Sequence, residues 1–205
     1  TNVFGKWCKP NYNSAVATFC YNIVRNLPVT IHDASSTLRL IYIDDFVDVL
    51  LKLLKNPNKE GGFIEVGQVY ETTVGEVFEI LKSFHASRNN LIIPQVGTGL
   101  TRALYATYMS YLPTESFSYE VPLHADERGV FVEMLKTPDW GQFSYFTAHP
   151  GVTRGEHYHH SKTEKFLVIK GSAHFAFRHI ETGEIHELEI RGGEGRVVES
   201  IPGWA

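Results

Sequence analysis

The chain has 205 residues, 43% of them hydrophobic and 20% charged, with a formal net charge of −4. That length admits one or two domains with cores of their own, and the mildly acidic balance argues against nucleic acid as a general partner. No apolar run nears the ~20 residues that span a bilayer, so no membrane insertion is expected; the two cysteines, Cys8 and Cys20, make no disulfide framework and fit a reducing cytoplasm.

The first half alternates helical and strand patterns. Residues 14–27 carry Ala15, Val16, Phe19, Cys20, Ile23, Val24 and Leu27 at helical spacing, and Pro28 ends the run. Residues 39–43 read as a strand. Asp44 or Asp45 is then placed to cap a helix whose apolar face is Phe46, Val49, Leu50, Leu53 and Leu54. Residues 63–66 read as another short strand. Thr73 and Glu76 have capping-box spacing ahead of a helix bearing Val77, Phe78, Leu81 and Phe84. A last, tyrosine-rich helix is expected within residues 100–112. This alternation fits part of an α/β domain over residues 1–113.

Residues 113–120 mark the expected boundary. Beyond it, over residues 114–205, short strands are expected at 131–135, 143–147, 165–169, 173–179, 184–190 and 196–201, separated by glycine-containing turns. Such spacing predicts an antiparallel barrel or sandwich. Eight of the ten histidines lie here, so the two halves differ in chemistry.

The chemistry concentrates in residues 151–171, GVTRGEHYHHSKTEKFLVIKG. In an extended segment side chains alternate, so His157 and His159 share one side while Tyr158 and His160 face the other. A lone His-x-His is an ordinary exposed polar face. With Glu164 after a short turn, two imidazoles and a carboxylate make a facial site for zinc or another divalent metal. The metal ligands expected are His157, His159 and Glu164.

The spacing Gly-x5-His-x-His-x4-Glu-x6-Gly resembles the first signature of the cupin (jelly-roll) barrels. Their second signature, Pro-x(0,1)-Gly-x2-His, would complete the site on a later strand. Ile201-Pro202-Gly203-Trp204-Ala205 stops one residue short of that histidine, so the chain is expected to be a piece of a longer protein with both domains incomplete.

In the first half, Asn2-Val3-Phe4-Gly5 and the element Leu40-Ile41-Tyr42-Ile43-Asp44-Asp45 resemble the C-terminal half of an extended short-chain dehydrogenase/reductase (SDR) of the NAD-dependent epimerase/dehydratase kind, a partial Rossmann-type fold. The resemblance implies that Asn2 helps hold a sugar nucleotide; a turn asparagine bonded to local backbone is the plainer alternative. Arg39 stands one place from the phosphate-binding arginine of many relatives, and a one-residue shift along a strand turns a side chain to the opposite face. The glycine-rich phosphate loop and the Tyr-x-x-x-Lys pair of that family would precede Thr1, so no cofactor-binding residues are expected here and NADPH is expected of the parent protein alone.

In the second half, Asp126-Glu127-Arg128-Gly129-Val130-Phe131-Val132-Glu133, then Ser144-Tyr145-Phe146-Thr147 and Gly151-Val152-Thr153-Arg154-Gly155-Glu156-His157, resemble the cupin-type epimerases of 4-keto nucleotide sugars. By that resemblance Arg128, Glu133 and Arg154 bind the substrate's diphosphate, a task suited to arginine's planar fork. Those metal-free epimerases have a lysine where Glu164 stands. A carboxylate cannot itself stabilise a developing enolate, but it can hold a cation that does. His157 then serves as a ligand, and the catalytic proton carrier is left open among His160, Lys162, Lys136 and His179.

A reductase-type domain followed by a metal-site cupin resembles the bifunctional CapF-type enzymes of capsular polysaccharide and O-antigen biosynthesis, through KPNYNSAVATFCYNIV and RGEHYHHSKTEKFLV. The resemblance implies C3-epimerisation by the cupin and NADPH-dependent C4-reduction by the SDR domain of a UDP-linked 4-keto sugar, a UDP-2-acetamido-2,6-dideoxy-4-hexulose, towards UDP-N-acetyl-L-fucosamine, in a cytoplasmic homodimer. Two other readings stay open: a single-activity cupin epimerase with a scaffold N-terminal domain, and a non-enzymatic cupin that binds metal or sugar.

Overall fold

The computed structural model describes residues 1–57, 61–64 and 66–205. Its contacts divide it into two compact units. The first comprises residues 1–126 and 130–147, the second residues 127–129 and 148–205.

In the first unit, β1 (Asn2–Phe4) leads through α1 (Ala15–Val24) to β2 (Thr37–Tyr42). The two strands pair in parallel, Asn2 opposite Leu40 and Phe4 opposite Tyr42. Ser14 starts α1, its Oγ accepting from the backbone N–H of Ala17 at 3.2 Å, which satisfies one of the helix's orphan donors. Helix α2 (Ile43–Lys55) follows β2 without a break, and Tyr42 is its N-cap. Asp44 and Asp45 therefore lie inside the first turn, where their charge opposes the positive end of the helix dipole, instead of capping it. Strand β3 (Tyr70–Thr73) adds antiparallel to the other side of β2, and α3 (Val74–Asn90) and α4 (Gly99–Met109) complete the helical layer. The described strands thus make a three-stranded mixed sheet.

The core of this unit is the face predicted from helical spacing. Phe19, Cys20, Ile23 and Val24 of α1 meet Val77, Leu81 and Phe84 of α3, with Phe4, Leu40, Leu104 and Tyr108 packed among them. Each such fully buried large side chain contributes about 1.5–3 kcal/mol relative to exposure. Helix α2 differs. None of its residues is buried, and Leu50 and Leu54 stand open to solvent. The strand expected at 63–66 is not found: Phe63, Ile64 and Val66 are irregular, and Glu65 lies outside the described residues. The edge position is taken by β3 instead.

Three further strands, β4 (His124–Asp126), β5 (Gly129–Thr137) and β6 (Gly141–Phe146), form a sheet in sequence order. A β-bulge interrupts the β5–β6 register: Glu133 opposes Ser144, while Leu135 opposes Phe143. Residues three apart face opposite sides of a regular strand. The extra residue of the bulge cancels that alternation, and Lys136 Nζ reaches Glu133 Oε1 at 2.9 Å.

In the second unit, β7 (Glu164–Leu167) pairs antiparallel with β10 (Val197–Ser200), and β8 (Ser172–Arg178) with β9 (Ile185–Arg191). Along β8 every second side chain turns inward, so Ala173, Phe175 and Phe177 are shielded while Ser172, His174, Ala176 and Arg178 are exposed. Phe166 of β7 packs on Phe175, centroids 5.8 Å apart, which places the two ladders against each other; Ile190 and Val198 are buried. Strands arise at all six expected places after residue 120, within a few residues at each end, but among the described residues they form separate ladders and no closed barrel.

Candidate metal centre

His157, His159 and Glu164 each offer one ligand atom, and these atoms lie within 4.8 Å of one another. Residues 152–159 form neither strand nor helix, and Gly155 and Glu156 within them both have positive φ. The alternation expected of a strand is realised all the same: the rings of His157 and His159 meet edge to face at 4.9 Å, and those of Tyr158 and His160 at 5.1 Å. The first residue of β7 then brings Glu164 to the histidine side. Its Oε2 is 3.8 Å from His159 Nε2, too far for a hydrogen bond.

Two details fit this set to a cation. His157 Nδ1 lies 2.9 Å from the carbonyl oxygen of Gly155. A carbonyl only accepts, so Nδ1 carries the proton and Nε2 keeps its lone pair for a ligand. His159 Nε2 is buried and has no hydrogen-bond partner, an arrangement that costs free energy unless something else satisfies the nitrogen. Two donors on one tetrahedral zinc stand about 3.4 Å apart, so the 3.8 Å separation needs only a small inward movement. Two imidazoles and a carboxylate suit zinc or a neighbouring first-row ion.

The sequence did not reveal how Gly155 takes part. Its φ of +113° and the φ of +60° at Glu156 bend the chain so that the carbonyl turns back on the imidazole. Glycine adopts such a conformation freely; glutamate does so at some cost. A glycine two places before the first histidine was the visible signal.

The other expected site residues fall as follows. Lys162 Nζ donates to Glu164 Oε1 at 2.7 Å. Lys136 is engaged with Glu133 across the bulge. His179 is committed to its own turn, its Nδ1 accepting from the backbone N–H of Thr182 at 3.1 Å, with its ring against Trp204. His160 pairs with Tyr158 on the side away from the ligands. Arg128 is exposed and Arg154 half-buried. The backbone oxygen of Arg128 accepts from the N–H of His149 at 3.0 Å. Asn2 is exposed on β1 and lines a small cleft with Asn13, Ser14 and Leu38. Arg39 lies in an exposed pair with Glu71 at 3.3 Å. No helix among the described residues is long and apolar enough to cross a membrane.

A sheet-and-helix unit is followed by a strand-rich unit that carries a two-histidine, one-glutamate cluster, and comparison with known proteins finds the following similarities. Residues 124–205 match the family described as "Polysaccharide biosynthesis C-terminal domain". Over 203 residues the chain is 57% identical to a UDP-2-acetamido-2,6-beta-L-arabino-hexul-4-ose reductase from Pseudomonas aeruginosa, covering 99% of this chain and 55% of that protein. Crystal structures of CapF superpose with a TM-score of 0.93 at 43% identity over 99% of the chain. One is the capsular polysaccharide assembling protein CapF from Staphylococcus aureus, of which the chain covers 55%; another is CapF with the inhibitor 3-isopropenyl-tropolone, of which it covers 59%. The chain is of the CapF type, and it spans between half and two thirds of the length of these relatives.

Proposed function

We propose that this chain carries the metal-site epimerase module, and part of the reductase module, of a bifunctional nucleotide-sugar enzyme of capsular polysaccharide biosynthesis. The substrate is a UDP-linked 2-acetamido-2,6-dideoxy-4-hexulose, inverted at C3 and then reduced at C4 with NADPH, in a cytoplasmic homodimer. The observation that carries this reading is the convergence of His157, His159 and Glu164 within 4.8 Å, with the His157 tautomer set for ligation by Gly155. The reductase activity named for the 57% identical relative supports the second step.

A proton next to a keto group is too weakly acidic for a side-chain base to remove unaided. When bound, a divalent ion would supply positive charge to the keto oxygen as the proton leaves, worth several kcal/mol of barrier. His157, His159 and Glu164 hold and orient that ion; Glu164 alone, being an anion, would oppose the charge that develops. By the resemblance, Arg128, Glu133 and Arg154 are assigned to the diphosphate in the epimerase module, and Asn2 separately to the sugar nucleotide of the reductase module. Among the proton-carrier candidates, His160 and Lys162 flank the ligands in the chain, whereas Lys136 and His179 are engaged elsewhere.

In the full-length context of its relatives, the enzyme given the 4-keto UDP-sugar in heavy water should incorporate deuterium at C3 without NADPH. Glu164→Gln should lose that exchange while still oxidising NADPH on substrate already epimerised. Exchange that requires NADPH, or that survives the substitution undiminished, would overturn the reading.

A further inference from the structure

The structure places the Lys162 ammonium directly on a ligand of the cluster, a contact that its candidacy as a proton carrier does not explain. Its Nζ donates to Glu164 Oε1 at 2.7 Å, while the other oxygen, Oε2, is the one directed at His159 Nε2. The two carboxylate oxygens therefore have different partners. One is held by an ammonium group, the other is presented to the imidazoles.

We propose that Lys162 is a positioning residue that weakens and narrows cation binding at the His157–His159–Glu164 cluster by withholding one oxygen of Glu164. This rests on the reading of the cluster as a metal site. With Oε1 engaged, Glu164 offers a single oxygen, which suits a small ion of low coordination number such as zinc. Larger oxygen-seeking ions favour carboxylates that close on them with both oxygens. The ammonium also places a like charge beside the ligands, and Coulomb repulsion lowers the affinity for any divalent ion. Because the Lys162 side chain is 56% exposed, it is an ordinary surface ion pair with little value for stability, so its removal should leave the fold intact. Lysine suits the task better than arginine in one respect: its compact ammonium donates to a single oxygen without bridging both.

The consequence has an unusual sign. Loss of a residue that merely supports a metal site lowers affinity; loss of Lys162 should raise it. In competition titrations of this chain against a chromophoric chelator, Lys162→Met should bind Zn²⁺ on the order of tenfold more tightly than the native chain. Its affinity for Mn²⁺ should rise by a larger factor, as the second oxygen is freed. Lys162→Arg, which keeps the charge and can bridge both oxygens, should bind Zn²⁺ no more tightly than the native chain, and the advantage of Lys162→Met should shrink as salt is raised, since the charge contribution is screened. With Co²⁺ in place of zinc, Lys162→Met should show weaker visible absorption, the mark of a higher coordination number. Lys162→Gln, which also lacks the charge, provides the same readings if the methionine variant fails to fold. Equal or weaker Zn²⁺ binding by a folded Lys162→Met or Lys162→Gln chain overturns the proposal while leaving the metal site itself standing. Failure of the native chain to bind Zn²⁺ at all removes both.

Discussion

His157 Nδ1 and the carbonyl oxygen of Gly155, two residues apart in sequence and 2.9 Å apart in space, determine which nitrogen of the first histidine can act as a ligand. The contact depends on backbone shape, since Gly155 has φ +113° and a side chain there would meet nothing within 4 Å. Its necessity is torsional, not steric. Gly155→Ala should therefore cost about 1–3 kcal/mol in strain or swing the carbonyl away, freeing the imidazole to adopt the other tautomer. Loss of an outer partner of this kind lowers metal affinity by about 10–100-fold. A zinc titration of the Gly155→Ala chain against the native one measures it, and unchanged affinity would refute the role.

The capping box predicted from Thr73 and Glu76 is present in both directions: the N–H of Glu76 donates to Thr73 Oγ1 at 3.2 Å, and the N–H of Thr73 donates to Glu76 Oε2 at 2.9 Å. Thr72 Oγ1 also donates to that carboxylate at 2.8 Å. The Thr72 hydroxyl, then the Thr73 N–H, hold the Glu76 carboxyl below its ordinary pKa. A folded pKa below the unfolded one means that the contribution is present above the ordinary carboxylate range and is lost as pH falls through the lowered value. Thr73→Ala should cost about 1 kcal/mol in denaturant unfolding at neutral pH. Glu76→Gln should flatten the acid limb of the stability profile, and an unaltered limb would show that the box contributes nothing there.

Periodicity made the helix faces and the later strands legible because burial follows it: Val77, Leu81 and Phe84 recur at helical spacing and are all buried. Helix ends were less legible. Helix α3 ends on Leu91 in the left-handed conformation, where glycine or asparagine is the usual signal, and Leu91 is held there by long-range contacts, its carbonyl accepting from the N–H of Lys136 at 2.8 Å. Nor does helical spacing report what a face packs on, so the stripe of α2 was readable although Phe46, Val49 and Leu53 are only half-buried and Leu50 and Leu54 exposed. For the candidate site, which side chains come together could be read from spacing, since two histidines one residue apart fall on one side even without a ladder. The contacts that Gly155 and Lys162 make with them depend on backbone bends and side-chain reach that spacing does not encode.

Gly192 is required for a different reason from Gly155. A Cβ there would stand 2.6 Å from Lys170 Cα and 2.7 Å from the carbonyl oxygen of Ile169, both backbone atoms that cannot swing aside. The close approach is fixed by the Gly192 N–H donating to the oxygen of Gly171 at 2.8 Å, which ties the start of β8 to the end of β9. Gly192→Ala should therefore destabilise the second unit by about 2 kcal/mol or more. Proteolysis with chymotrypsin should cleave the variant faster within residues 148–205 than within the first unit. Cleavage at the native rate would mean that the turn relaxes freely.

Two tyrosines of the first unit contribute to the alkaline side of the stability profile, alongside the Cys20 thiol, whose pKa burial also raises. Tyr108 is fully buried beside Phe84 and its hydroxyl lies 3.2 Å from His85 Nδ1; Tyr111 donates its hydroxyl to the carbonyl of Cys8. Burial disfavours the phenolate in both and pushes each pKa from 10.0 up to about 12. A raised folded pKa means that the native state keeps its protons more firmly than the unfolded chain. The contribution of the tyrosines is therefore complete below pH 10 and is lost as pH rises from there to about 12. Denaturant midpoints measured from pH 8 to pH 12 should fall through that window. Tyr108→Phe removes one of the two tyrosine ionisations while keeping the ring, so its curve should start lower for want of the contact with His85 and decline less steeply above pH 10. A decline as steep as that of the native chain would mean that Tyr108 ionises no less readily folded than unfolded, and the assignment of the alkaline limb to its burial would fail.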